Sequence, residues 1–217
     1  MKRFLVLLTV LLASLSWHGL VLATAQEGDR IVVDGESHFL QTEPLTSHLK
    51  RIGWRPPEKA AISSANWRGY LAHWTIDDER LVLKDVTIRM HGEEPREITT
   101  VSILGSLFPD DSRVVATWYS GALVIPEGEI INYQHLGYGS TFERYQVFRI
   151  AEGVVTEHRR LSGSEFEDYK KQKWNDYRKT DHYRKAYDDL RASQDEWSEE
   201  LVEEFLMGYY AEHYLNQ

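Results

Sequence analysis

Apolar and polar positions alternate with period two from about residue 30 to 161, then recur with a helical period from 162 onward. The first strand pair is the plainest. Arg30-Ile-Val-Val33 meets Asp34-Gly35, and residues 36–40 return; Asp-Gly between such runs predicts a hairpin, because both central residues must tolerate positive φ. Further on, Tyr70, Ala72, Trp74 and Ile76 share one face of a strand, which marks Tyr70 and Trp74 as core residues. Asp77-Asp78-Glu79 turns the chain and residues 81–88 return. Two more segments repeat a three-residue device ending in glycine. Val124-Ile125 is expected to reverse through Pro126-Glu127-Gly128 into Ile130-Ile131, and Arg149-Ile150 through Ala151-Glu152-Gly153 into Val154-Val155. About eight antiparallel, hairpin-linked strands result. Residues 45–66, with Pro56-Pro57, read as a loop holding a turn of helix, and 98–107 as a strand or a short helix.

Helix begins at Ser162, whose spacing to Glu165 suits a capping box. Phe166, Tyr169, Trp174 and Tyr177 cluster on one side, while Tyr183, Ala186, Tyr187 and Leu190 cluster on another, rotated by roughly 120°. One straight helix cannot bury both sets, so a break is expected near Lys179-Thr180-Asp181, with Thr180 or Asp181 as the new cap. Ser193-x-x-Glu196 is expected to open the last helix, which is apolar nearly all round. The fold class is therefore α+β: an antiparallel, hairpin-rich β-sheet or small barrel followed by two or three C-terminal helices. The expected division is a signal peptide over 1–25, a β-rich region over 26–161 and a helical region over 162–217 that packs on the same domain.

The N-terminus changes the picture of where the protein works. Lys2-Arg3 precede an apolar run from Phe4 to Leu12 and a looser one to Leu22, closed by Ala23-Thr24-Ala25. Such a pattern predicts a secretory signal cleaved after Ala25. The alternative is a retained membrane anchor of about 20 residues, which Ser14, Ser16 and His18 weaken. Cleavage leaves 192 of the 217 residues, and loss of Lys2 and Arg3 takes the formal charge from −9 to −11. A chain that size buries roughly 70% of its unfolded surface, so it needs no disulfide staples. It has no cysteine to make them. Export without disulfides fits a bacterial periplasm better than a small extracellular scaffold, with secretion the other destination. The acidic balance argues against nucleic acid and against electrostatic adhesion to an anionic membrane. No later segment is apolar enough to cross a bilayer.

Candidate chemistry concentrates in Tyr133-Gln-His135-Leu-Gly-Tyr138-Gly-Ser140-Thr-Phe-Glu143-Arg144. His135, oriented by Glu143, would be able to activate Ser140 as a nucleophile. The plainer reading is a demanding inter-strand turn held by its own polar groups, or a ligand-binding loop using Tyr133, His135, Tyr138 and Arg144. Trp67 and Arg68, with Trp118, carry the aromatic and cationic character of a sugar or peptide platform. The histidines have no metal-ligand spacing, Asp77-Asp78-Glu79 and Asp110-Asp111 lack that of a calcium loop, and no nucleotide or cofactor motif appears.

The series Trp67-Arg-Gly-Tyr70, Trp74, Leu81-x-Leu83, Phe108-Pro109, Ala116-x-Trp118, Ser120-Gly121, Gly128 and Tyr133-x-His135-x-Gly137-Tyr138 resembles a family of uncharacterised bacterial proteins. The resemblance covers residues 65–155 and implies a bacterial β-rich unit; it brings no activity and no site residues. Functionally the sequence points to an exported, periplasmic, non-enzymatic binding or protein-interaction module of the envelope, without metal or cofactor. Its expected partners are an envelope protein or small ligand, with neutralisation of a basic effector one version of that role and a homo-oligomer through the last helix a further expectation. The competing reading is an envelope hydrolase acting through His135, Glu143 and Ser140.

Overall fold

A computed structural model describes residues 26–94, 96–134, 138–209 and 211–216. Strand β1 (Asp29–Val33) and strand β2 (Glu36–Leu40) form the expected hairpin, with Asp34 and Gly35 at φ of 53° and 84°. Helix α1 (Thr46–Arg51) follows within the expected loop, then β3 (Leu71–Asp77) and β4 (Arg80–His91). The ambiguous stretch resolves into both of its readings, strand β5 (Ile98–Ser102) and helix α2 (Leu104–Leu107). Strands β6 (Val114–Val115), β7 (Gly121–Asn132), β8 (Thr141–Ala151) and β9 (Val154–Ser162) complete the sheet. Among the described residues four helices follow the sheet, rather than the expected two or three: α3 (Gly163–Tyr177), α4 (Asp181–Ser193), α5 (Glu199–Tyr209) and the five-residue α6 (Ala211–Leu215).

The class is α+β, and the described residues form a mixed, mostly antiparallel nine-stranded sheet in the order β2-β1-β3-β4-β9-β8-β7, with β5 and β6 also paired with β4. One pair departs from the expected all-antiparallel pattern. Strands β1 and β3 run parallel, Ile31 beside Trp74, because the long connection over 41–70 returns the chain to the start of the sheet before β3 begins. The path also bends on itself. The Gln41 amide, just past β2, donates to the Val124 carbonyl of β7 at 2.8 Å, so its two end strands touch.

A second departure matters more for the site. Residues 126–128 are not a reversal: β7 runs straight through them, Pro126 opposite Tyr145 and Glu127 opposite Arg144, and Gly128 at φ 78° sits in a bulge. A proline is tolerated there because β7 ends the strand path, where a missing donor costs little, and glycine accepts the left-handed bulge position. Strand β7 instead continues to Asn132 before the antiparallel β8 begins at Thr141. The Ala151–Gly153 turn is as expected, with Glu152 and Gly153 at φ of 49° and 80°.

The sheet separates two cores. Ile31, Leu40, Trp74, Leu81, Leu123, Ile125, Phe148 and Ile150 fill its inner face, together with Tyr70. On the outer face of β7 and β8, Val124, Tyr145 and Val147 pack under Phe166, Trp174, Val202, Leu206 and Tyr214 of the helices. Ser162 makes the expected capping box with Glu165, and the break falls where the two stripes require it, Thr180 accepting from the Tyr183 amide at 3.2 Å. Ser193 instead closes α4, donating to the Leu190 carbonyl at 3.0 Å, and Ser198 starts α5 by accepting from the Leu201 amide at 3.2 Å. Among the described residues no helix is long and apolar enough to cross a membrane.

Candidate functional site

Three strands change character at the same level of the inner face. Along β8 the inward series runs Ile150, Phe148, Gln146, Arg144; along β7 it runs Leu123, Ile125, Glu127; along β2 it runs Leu40, His38, Glu36. Period-two alternation puts each series on one face, so the core gives way to polar side chains at one end of the sheet. A groove of about 630 Å³ opens there between the tip of the β1–β2 hairpin and the β7–β8–β9 meander, lined also by Asp34, Arg160 and Ser162.

Its floor is hydrogen-bonded. The buried Gln146 amide donates to Glu127 Oε1 at 2.6 Å, and its carbonyl oxygen lies 2.8 Å from His158 Nε2. That contact fixes the proton on Nε2 when the imidazole is neutral. His158 stacks on Phe148 with centroids 3.9 Å apart and planes 7° from parallel. Burial against that ring, reinforced by the Arg160 charge, lowers its pKa. The two guanidiniums on this wall are held loosely and face water: Arg144 lies 3.3 Å from Glu143 and Arg160 lies 3.9 Å from Asp34. The opposite wall offers Glu36 and His38. A ligand with an anionic group can therefore displace weak ion pairs rather than break strong ones.

The residues singled out by sequence go to different places. Arg144 lines this groove. Trp67 and Tyr133 are exposed. Trp118 is a packing residue, stacked on Phe108 at 5.4 Å while its indole N–H donates to the Pro44 carbonyl at 3.0 Å. Arg68 is buried, its Nη1 donating to Asp29 Oδ1 at 2.8 Å and its Nη2 to the Glu27 carbonyl at 2.8 Å, with Glu43 Oε1 at 3.3 Å from Nε. Asp29 also accepts from the Trp74 indole at 3.1 Å, and Tyr138 donates to Glu43 at 3.3 Å. Burial opposes the Arg68 charge, but Asp29 and then Glu43 more than offset this and raise its pKa. Glu43 is raised too, burial outweighing the attraction of Arg68.

Of the hydrolase constellation, His135 lies outside the described residues. Ser140 Oγ accepts from the Gln134 amide at 3.0 Å and donates to the Gln134 carbonyl at 3.2 Å, closing the turn. Glu143 accepts from the Glu129 amide and from Arg144, each at 3.3 Å. The comparisons with known proteins add no relative. No family model matches the chain, and neither a curated protein nor a solved structure is similar to it.

Sequence reading did not flag Gln146, Glu127, His158 or Arg160 as a set. A signal was present. Extending each strand's alternation past its last apolar residue gives Gln146 and Arg144 on β8, Glu127 on β7, and His38 and Glu36 on β2.

Proposed function

We propose that this protein is a non-enzymatic binding module of the bacterial envelope. Its N-terminal segment exports it to the periplasmic side, and it holds a small ligand in the groove at the polar end of the sheet. The observation that carries the reading is the coincident change from apolar to charged side chains on β2, β7 and β8, which gives a preformed recess with a hydrogen-bonded floor. The two loosely paired arginines, 144 and 160, favour a ligand with a carboxylate or phosphate, and Glu36 with Glu127 would receive a positive group on the same molecule. A short peptide carries both. The hydrolase reading has less support, because the Ser140 hydroxyl is engaged by the backbone of Gln134 and Glu143 by the Glu129 amide and Arg144.

Calorimetric titration of residues 26–217 with a panel of small carboxylates, phosphates and short peptides tests the proposal. Expected is binding of at least one class, weakened about tenfold or more by Arg144→Ala with Arg160→Ala, with the melting temperature little changed because both side chains are exposed. Undiminished affinity in the double variant, or no binding across the panel, would sink the groove as the site.

A further inference from the structure

Helix α4 carries the apolar stripe Tyr183, Ala186, Tyr187 and Leu190, yet none of its residues is buried. It leaves a recess of about 540 Å³ between itself, the end of α3 and α6, a volume within the range of small-molecule sites. The floor of the recess is apolar: Tyr177, which is almost wholly buried, with Ala186 and Leu190. Its rim is basic. His182 and Lys185 share a face of α4 with Ala186 and Leu190, because residues three and four apart are neighbours on a helix surface. His213 comes from α6, which is held in place by its own neighbours: Tyr214 and Leu215 are buried, and Asn216 Oδ1 accepts from the Ala122 amide of β7 at 2.9 Å. None of these residues belongs to the groove at the polar end of the sheet.

We infer that this recess is a second ligand site, and that its ligand is a carboxylate on an apolar body. The floor accounts for the body: Ala186 and Leu190 are only half-buried, and a ligand lying on them removes apolar surface from water. The rim accounts for the head. In a chain of formal charge −9, basic groups from three helices gather at this one place. Lys50 of α1 is among them, since partial burial and then the charges of Lys50 and His182 hold the His213 pKa below the ordinary imidazole range. Asp189 is the acid that lines the recess, and it already accepts from Lys185 Nζ at 2.9 Å. Both side chains are exposed, so that pair contributes little in water, and the ammonium has further donors for a ligand oxygen. An imidazole donates an N–H whether neutral or charged, so His182 and His213 suit an oxyanion in either state. A cationic head would meet Lys50 and Lys185 instead.

Three probes separate head from body: octanoate, acetate, which lacks the body, and 1-octanol, which lacks the charge. Each is titrated calorimetrically into residues 26–217, which hold every described element and both cores. The expected result is one octanoate per chain, bound about tenfold or more tightly than either of the other two. His182→Ala with Lys185→Ala should weaken octanoate about tenfold and leave octanol as it was, with the melting temperature little changed because both side chains are exposed. Arg144→Ala with Arg160→Ala should leave octanoate binding intact, which keeps this site distinct from the groove. Equal affinity for octanol and octanoate overturns the proposal, as does octanoate binding that the His182 and Lys185 changes do not weaken. Absence of octanoate binding overturns it as well, and loss of that binding in the Arg144 and Arg160 variant would assign the anion to the groove instead.

Discussion

Arg68 is where the interior polar groups converge. Its side chain is 2% exposed and faces Asp29, which is fully buried, and Glu43. Removing one partner of such a cluster leaves uncompensated charge in a low-dielectric interior. Arg68→Met should therefore cost about 3–5 kcal/mol by urea denaturation, far more than truncation of an exposed arginine. Glu43 adds a pH dependence of definite sign. Burial raises its folded pKa above the ordinary 4.5, despite Arg68. Its contribution to stability is thus full below 4.5 and is lost as pH rises through the raised value. Glu43→Gln should flatten that fall, read from urea midpoints over a pH series. The sequence marks Arg68 as notable but not as internal, because Asp29 and Glu43 lie 39 and 25 residues away and nothing local names them as partners.

Among elements, those governed by short-range chemistry are the legible ones. The Asp34-Gly35 and Glu152-Gly153 turns, the Ser162 capping box and the Thr180 break each depend on a few consecutive residues. Thr180→Ala removes the side-chain acceptor for the Tyr183 amide and should lower stability by about 1 kcal/mol in thermal or urea unfolding. Pro126-Glu127-Gly128 carries equally strong local turn chemistry and yet lies within a strand. The pairing of Pro126 with Tyr145 and of Glu127 with Arg144 overrides it, and local pattern cannot tell a bulge from a reversal when both need glycine at positive φ. Ser193 fails for a related reason: a serine beside a helix end can close one helix as readily as open the next.

For the molecule as a whole, the C-terminal helices and the sheet share one packed layer. Leu206 is fully buried in it with Val202 and Trp174, above Val124 and Val147 of the sheet. Leu206→Ala should cost about 2–5 kcal/mol, and unfolding followed by far-ultraviolet circular dichroism and by tryptophan fluorescence should shift together. Separate transitions would mean that helices and sheet fold as independent units. By itself the sequence determined the fold class, the strand and helix periods, most of the turns and caps, and the core roles of Tyr70 and Trp74, because these follow from side-chain alternation and neighbouring backbone groups. Tertiary structure alone decided the parallel β1–β3 pairing, the contact of Gln41 with Val124, the burial of Arg68 and the meeting of three polar strand ends in one groove. Each of these joins residues far apart in the chain, and the free energy that selects them comes from contacts made only once the whole sheet has closed around its core.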